Sequence, residues 1–162
     1  MIYPIHKGGF MGLLQLIEKS YENKINKRIA LIAAMDSERR VVGTARNKFN
    51  ETVGVVILHT DCLIMVELYK HKGSASKLIA VLNETTINIG DIQMVSNCRG
   101  LGSIAMKTLI DYAKEISVIK ITGELSQVDA DHFDRLEHFY RKHGFKVTFN
   151  KDRTEGNIEL HL

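Results

Sequence analysis

Residues 97–103 read NCRGLGS. Two glycines stand two apart, at Gly100 and Gly102, with Arg99 just before the first and Ser103 just after the second. Apolar residues precede this stretch and a helical pattern follows it. The first backbone N–H groups of a helix have no partner inside it, and the helix dipole adds partial positive charge there. Glycines let an anion reach that backbone, and Arg99 can add a fixed charge, so the stretch can seat a pyrophosphate. A plain glycine-rich turn is the other reading. The dinucleotide fingerprint G-x-G-x-x-G is met in part, with Ala105 at its third position and Glu124 lying 22 residues after Gly102, where an acidic residue belongs. The P-loop pattern is not met. Asp91, Glu124 and, more weakly, Glu67 are carboxylates that can accept a proton, or simply surface charges. Asp129, Asp131, His132, Asp134, Glu137, His138 and His143 crowd a later segment, but without the H-E-x-x-H spacing. They read as the polar side of a helix, and no metal is expected. No G-x-S-x-G nucleophile signature is present.

These residues need elements to position them. Leu13, Leu16, Ile17 and Tyr21 recur at helical spacing, which predicts a first helix from Gly12 to about Asn23. RIALIAAM (28–35) is a continuous apolar run. A polar turn at 36–39 and VVGTA (41–45) follow it, which predicts a hairpin. VGVVILH (53–59) and CLIMVELY (62–69) repeat that pattern around Thr60-Asp61. KLIAVLN (77–83) and TTINIGDIQMV (85–95) suit a third hairpin, and 77–83 equally suits the end of a short helix begun near Ser74. In the last of these strands Ile87 and Ile89 share one parity, whereas Ile92 and Met94 share the other. A slip at Gly90-Asp91 is the mark of a β-bulge; a strand buried on both faces leaves the same pattern.

From Ser103 onward, Met106, Leu109, Ile110, Ala113 and Ile116 follow helical spacing, and VIKITGEL (118–125) alternates as a strand. Strand, helix, strand makes a βαβ unit, so the strands near Ile92 and Ile121 run parallel. Asp129 or Asp131 is expected to cap the next helix, whose apolar face is Phe133, Leu136 and Tyr140. Gly144 stops that helix and Phe145 folds back on its end. KVTFN and NIELHL close the chain as a hairpin around 152–156.

The composition bounds the class. A chain of 162 residues, 44% hydrophobic and 25% charged, suits one globular domain over 1–162. The net charge of +3 and the short basic clusters at 70–72 and 141–143 read as solvated faces, so no nucleic-acid partner is expected. Cys62 and Cys98 make neither a disulfide framework nor a zinc set, and read as free thiols in a reducing, cytoplasmic setting. No apolar run approaches 18 residues, so no membrane span is expected, and the start reads as a helix rather than a leader.

Two segments carry a family resemblance. IGDIQMVSNCRGLGSIAMKTLIDYAK resembles the acetyl-CoA-binding motif of the GNAT acetyltransferase superfamily, a bulged strand leading into [RQ]-x-x-G-x-[GA] and a helix. Ile89, Ile92 and Met94 fall on its strand positions and Asn97, Gly100 and Gly102 on its loop positions. RLEHFYRKHGFKV (135–147) is similar to the later motif, in which a tyrosine lies four residues before Gly-Phe; Tyr140, Gly144 and Phe145 match. The two motifs come in the expected order and cover about 87–147. Asn97 stands where Arg or Gln is usual, Ser96 where proline is common and Phe133 where asparagine is frequent. The region 50–84 is longer than the family usually needs before the bulged strand.

The resemblance implies an α/β (α+β) GNAT fold, with a mixed, mostly antiparallel sheet, a bulged central strand splayed for acetyl-CoA, and helices on both faces. It implies acetyl transfer from acetyl-CoA to a primary amine of a small molecule or protein. The backbone at Met94 and Val95 would pair with the pantetheine arm, one of their N–H groups polarising the thioester carbonyl. The N–H groups of Arg99, Gly100, Leu101, Gly102 and Ser103 would hold the pyrophosphate, and Tyr140 would protonate the leaving thiolate. A core aromatic is the other reading of Tyr140. A non-catalytic module that binds CoA or a protein partner, and more distantly a dinucleotide enzyme, are the alternative functions. A homodimer stays open.

Overall fold

The computed structural model describes residues 7–95 and 100–162, with side chains of the first helix described from residue 15. The apolar alternation of the first half becomes five consecutive antiparallel strands after one long helix. The helix is α1 (Lys7–Ala34), and the strands are β1 (Arg39–Arg46), β2 (Thr52–His59), β3 (Leu63–Tyr69), β4 (Ser76–Asn83) and β5 (Thr86–Gln93). Then come α2 (Leu101–Glu115), β6 (Lys120–Leu125), a 3-10 helix (Gln127–His132), α3 (Phe133–Lys142), β7 (Lys146–Phe149) and β8 (Gly156–His161). The eight strands form one sheet in the order β1-β2-β3-β4-β5-β6-β8-β7. Only β5 and β6 are parallel, as a strand–helix–strand crossover requires.

Strand alternation divides the sheet into two faces. Val53, Val55 and Ile57 of β2, with Ile64, Val66 and Leu68 of β3, turn to one face and share a core with Leu101, Ala105, Met106 and Leu109 of α2. Phe133 and Tyr140 of α3 join the same core. On the opposite face α1 lies across Gly54 and Val56. A Cβ at residue 54 would run into Ile29 and come within 2.9 Å of Ile25 Cγ2, so glycine permits the close approach. Helices therefore cover both faces, and on the second face α1 packs chiefly on β1 and β2 and reaches Tyr69 at the end of β3.

Three expectations change. The run 28–35 is not a strand: residues 28–34 continue α1, with Ile25 and Ile29 buried on one side while Leu31 is 67% exposed. A short apolar run has no distinguishing period of its own, and the strand place beside β2 is taken by 39–46. The front of α1 is not a buried amphipathic face, since Leu16 and Ile17 are exposed. Neither Asp129 nor Asp131 caps α3; residues 127–132 coil into the 3-10 helix, with Ser126 and His132 at the two N-cap positions. The three hairpins of β2–β3, β4–β5 and β7–β8 stand as expected.

Candidate functional site

The site begins at the bulge. On β4, Ile79 faces Asp91 and the next residue, Ala80, faces Ile89, so Gly90 is the extra residue of β5. The insertion returns Ile92 and Met94 to the face already occupied by Ile87 and Ile89, which accounts for the parity slip. It also ends the parallel ladder: the last β5–β6 pair is Ile89 with Gly123. Beyond it β5 stays on β4 as far as Gln93 with Lys77, and β6 stays on β8 as far as Leu125 with Gly156. Each arm is held by its outer neighbour and released by its inner one. The sheet opens there as a fork.

Backbone groups on the β5 arm are partly committed. The Val95 N–H donates to Ser76 Oγ at 3.1 Å, toward β4. Alternation then sends the N–H groups of Ile92 and Met94 toward the fork. The Asp91 carboxylate takes the first at 2.7 Å, so the Met94 N–H is the donor left. Of the two positions expected to meet a ligand, Met94 is half-buried and Val95 is 59% exposed.

α2 starts just past this arm. Gly100 occupies its N-cap position in the left-handed region, φ 81°, which favours glycine. The first intrahelical bond runs from the Ile104 N–H to the Gly100 carbonyl, so the N–H groups of Leu101, Gly102 and Ser103 precede it and point out of the helix end. Gly100 has no side chain to cap them and no acidic residue stands in the first turn. This end is set up for an anion. Ser103 Oγ lies 3.2 Å from His143 Nε2 and 3.5 Å from Lys142 Nζ, which tie α2 to the end of α3. Burial, and then Lys142, hold His143 below its ordinary pKa. The backbone of Lys48 packs beside Gly100, a neighbour that no local signal announces. Arg99 and Asn97 lie outside the described residues.

Tyr140 is 6% exposed, its ring edge-on to Phe139 and Phe145. The helix that carries it ends as the sequence predicts. The Phe145 N–H reaches the Tyr140 carbonyl and the Gly144 N–H the Arg141 carbonyl, a Schellman closure. Burial first, then Asp129 and Asp91, push the phenol up to about 12. Among the described residues the hydroxyl has no hydrogen-bond partner, and no sealed side-chain polar atom is left unpaired, so the hydroxyl is open to solvent or to a ligand. It is a proton donor that stays protonated at neutral pH. Sequence reasoning named Asp91 but missed Asp129 as its neighbour, because a 3-10 turn rather than a helix start sets that residue's position.

Glu124, the next residue of β6 past the last β5–β6 pair, lines a polar hollow of about 410 Å³ with Asn88, Thr122, Thr148 and Asn157. Glu67 lies elsewhere. It is 1% exposed and bound to Arg39 at 3.0 Å, with Lys77 at 3.7 Å, in the sheet interior.

No family model matches the chain. It is 37% identical over 134 residues to YocC of Bacillus subtilis, a protein described as uncharacterised, across 77% of this chain and 78% of that one. Among solved structures, the GNAT domain of S. lividans PAT superposes with a TM-score of 0.61 at 8% identity, over 74% of this chain and 96% of that one. A Bacillus subtilis acetyltransferase in complex with CoA gives 0.52 at 15% identity, over 63% of this chain and 78% of that one. The fold is the GNAT fold.

Proposed function

The chain belongs to one family with YocC and has the GNAT fold, and on that premise we propose that it is a GNAT enzyme that transfers an acetyl group from acetyl-CoA to a primary amine. The observation that carries this reading is the fork, with a helix N-terminus free of acidic side chains in its first turn past one arm and a buried Tyr140 whose hydroxyl has no partner among the described residues. A CoA complex among the fold neighbours agrees with it.

In this reading the N–H groups of Leu101, Gly102 and Ser103 hold the pyrophosphate, joined by Gly100 and Arg99. The Met94 N–H polarises the thioester carbonyl. The amine, having lost a proton to a carboxylate or water at the fork, attacks the carbonyl carbon. The C–N bond forms, the C–S bond breaks, Tyr140 gives its proton to the departing sulfur, and the second proton released from the nitrogen as the amide forms restores the phenol through solvent. The bulged strand positions the Met94 donor, and the buried ring packing fixes the tyrosine.

The test pairs binding with turnover. Calorimetry should show acetyl-CoA binding to the wild-type chain. Gly100→Val, which forces a β-branched residue to φ 81°, should weaken it by about 100-fold. Unchanged affinity would sink the pyrophosphate assignment. Thiol release that no amine accelerates would leave the second reading, a CoA-binding module without transfer.

A further inference from the structure

The helix α1 carries large apolar residues on both of its sides. Ile25 and Ile29 are buried against the sheet. Away from it, Leu16, Ile17 and Leu31 are each more than half exposed, and Met35, just past the helix end, is 87% exposed. Ile17, Ser20, Lys24, Lys27 and Leu31 follow at steps of three and four, so they share one outward stripe, and all five are exposed. Lys19 joins Lys24 and Lys27 around a hollow of about 410 Å³ along the same helix, with Leu16, Ser20 and Asn23 completing its lining.

Charge is sorted across α1. Its two acids turn to β1, Glu18 toward Arg46 at 3.7 Å and Glu22 toward Thr44 at 3.3 Å. Arg28 turns to the β3–β4 connection and bonds the carbonyls of Lys70 and Gly73. Tyr21 lies edge-on to His71 in the same connection. These contacts bring the basic cluster 70–72 against the flank of α1. Lys70 is answered by Glu51 at 3.6 Å. Lys19, Lys24, Lys27 and Lys72 are exposed and have no ion-pair partner among the described residues.

What covers this surface must be anionic and must also accept apolar side chains. A second copy of the chain fails the first condition. A twofold axis between Lys24 and Lys27 sets lysine against lysine, and the stripe holds no acid to answer them. A nucleic acid fails the second. Leu16, Ile17, Leu31 and Met35 find nothing on a phosphate backbone, and the groups suited to forked or stacked contacts, Arg28 and Tyr21, are engaged inside. An anionic bilayer meets both conditions. Lysine ammoniums answer its headgroups, while their stems and the apolar side chains enter the acyl boundary.

We infer that α1, with Lys72 of the β3–β4 connection, docks the protein on an anionic lipid surface, the helix lying in the plane of the interface. This docking is independent of acetyl transfer.

Sedimentation of the full chain with vesicles tests it, using phosphatidylcholine alone or mixed with about one-third phosphatidylserine. Binding should require the anionic lipid and should fall about tenfold in about 0.5 M NaCl. Lys24→Gln with Lys27→Gln should weaken it by about tenfold, and Leu31→Gln should weaken the binding that survives in salt. All three positions are exposed, so the melting temperature should hold in each variant. No binding to the anionic vesicles overturns the inference. So does equal binding to phosphatidylcholine alone, and so does binding that the lysine pair does not weaken. A dimer in sedimentation equilibrium that Leu31→Gln dissociates assigns the stripe to a second copy instead. A mobility shift of duplex DNA without vesicle binding assigns it to nucleic acid. Both of these outcomes also overturn the inference.

Discussion

The two halves of the sheet treat charge in opposite ways. Beneath α1, the carboxylate of Glu67 is buried and fully answered: Arg39 bonds it, Lys77 approaches it, and Arg39 also reaches Asp36. Arg28 of α1 binds the carbonyls of Lys70 and Gly73 and lies 5.1 Å over the Tyr69 ring, fastening the helix to the β3–β4 connection. At the fork, among the described residues, Asp91 and Glu124 have no ion pair, the Tyr140 hydroxyl has no hydrogen-bond partner, and no acidic side chain stands in the first turn of α2. A buried charge left unanswered is costly, so the first half must be complete to fold. The second half keeps its polar groups at the solvent edge, where they can wait for a ligand at little cost. Internal completeness marks scaffold and incompleteness marks site.

That contrast can be broken. Glu67→Ala should have the largest effect on folding, about 2 kcal/mol lost, since it vacates an interior position and leaves Arg39 with Asp36 alone. Thermal or urea unfolding reads it, and a loss under 1 kcal/mol would mean the α1 half is no more complete than the fork. Tyr140→Phe should lower kcat by about 100-fold, about 2.7 kcal/mol in the barrier, with acetyl-CoA affinity little changed. Equal turnover would return Tyr140 to the core as an aromatic only.

The same substitution sharpens the contrast in alkali. Tyr140 has its phenol raised from the ordinary 10 to about 12 in the folded chain. The unfolded chain therefore ionises first, and the stability tied to the neutral phenol is present below pH 10 and lost as pH rises to 12. Tyr69, also pushed up to about 12 by burial and Glu67, shares this loss. Tyr140→Phe should reduce the drop in melting temperature over that window, with Tyr69 and Tyr112, whose phenols burial also raises, contributing to what persists. Smallest of all, Asp91→Asn and Glu124→Gln should each move stability by no more than about 0.5 kcal/mol. A larger fall would show that these carboxylates hold the fold rather than face a ligand.

What could be read from the sequence was local. The parity slip from Ile89 to Ile92 suits a bulge, because strand alternation has a period of two and one added residue inverts it, but it suits a strand buried on both faces as well, and the pairing with β4 decides. The helix after Ser103 and the strand at 118–125 fixed a parallel crossover by chain geometry alone. Gly144-Phe145 closed its helix because that turn chemistry acts within six residues. Residues 28–34 misled because a short apolar run is equally a buried strand or one side of a helix. Only the packing of Ile25 and Ile29 on Gly54 and Val56 decides between them.

The sequence by itself determined the glycines before α2, the crossover and the tyrosine before Gly-Phe, since each depends on neighbours along the chain. Tertiary structure alone decided that β8 inserts between β6 and β7 and that Lys48 comes beside Gly100. It also decided that Glu67 is consumed by the interior while Glu124 is left lining a polar hollow beside the fork. Those outcomes turn on which distant segments share buried surface, and no local period records that.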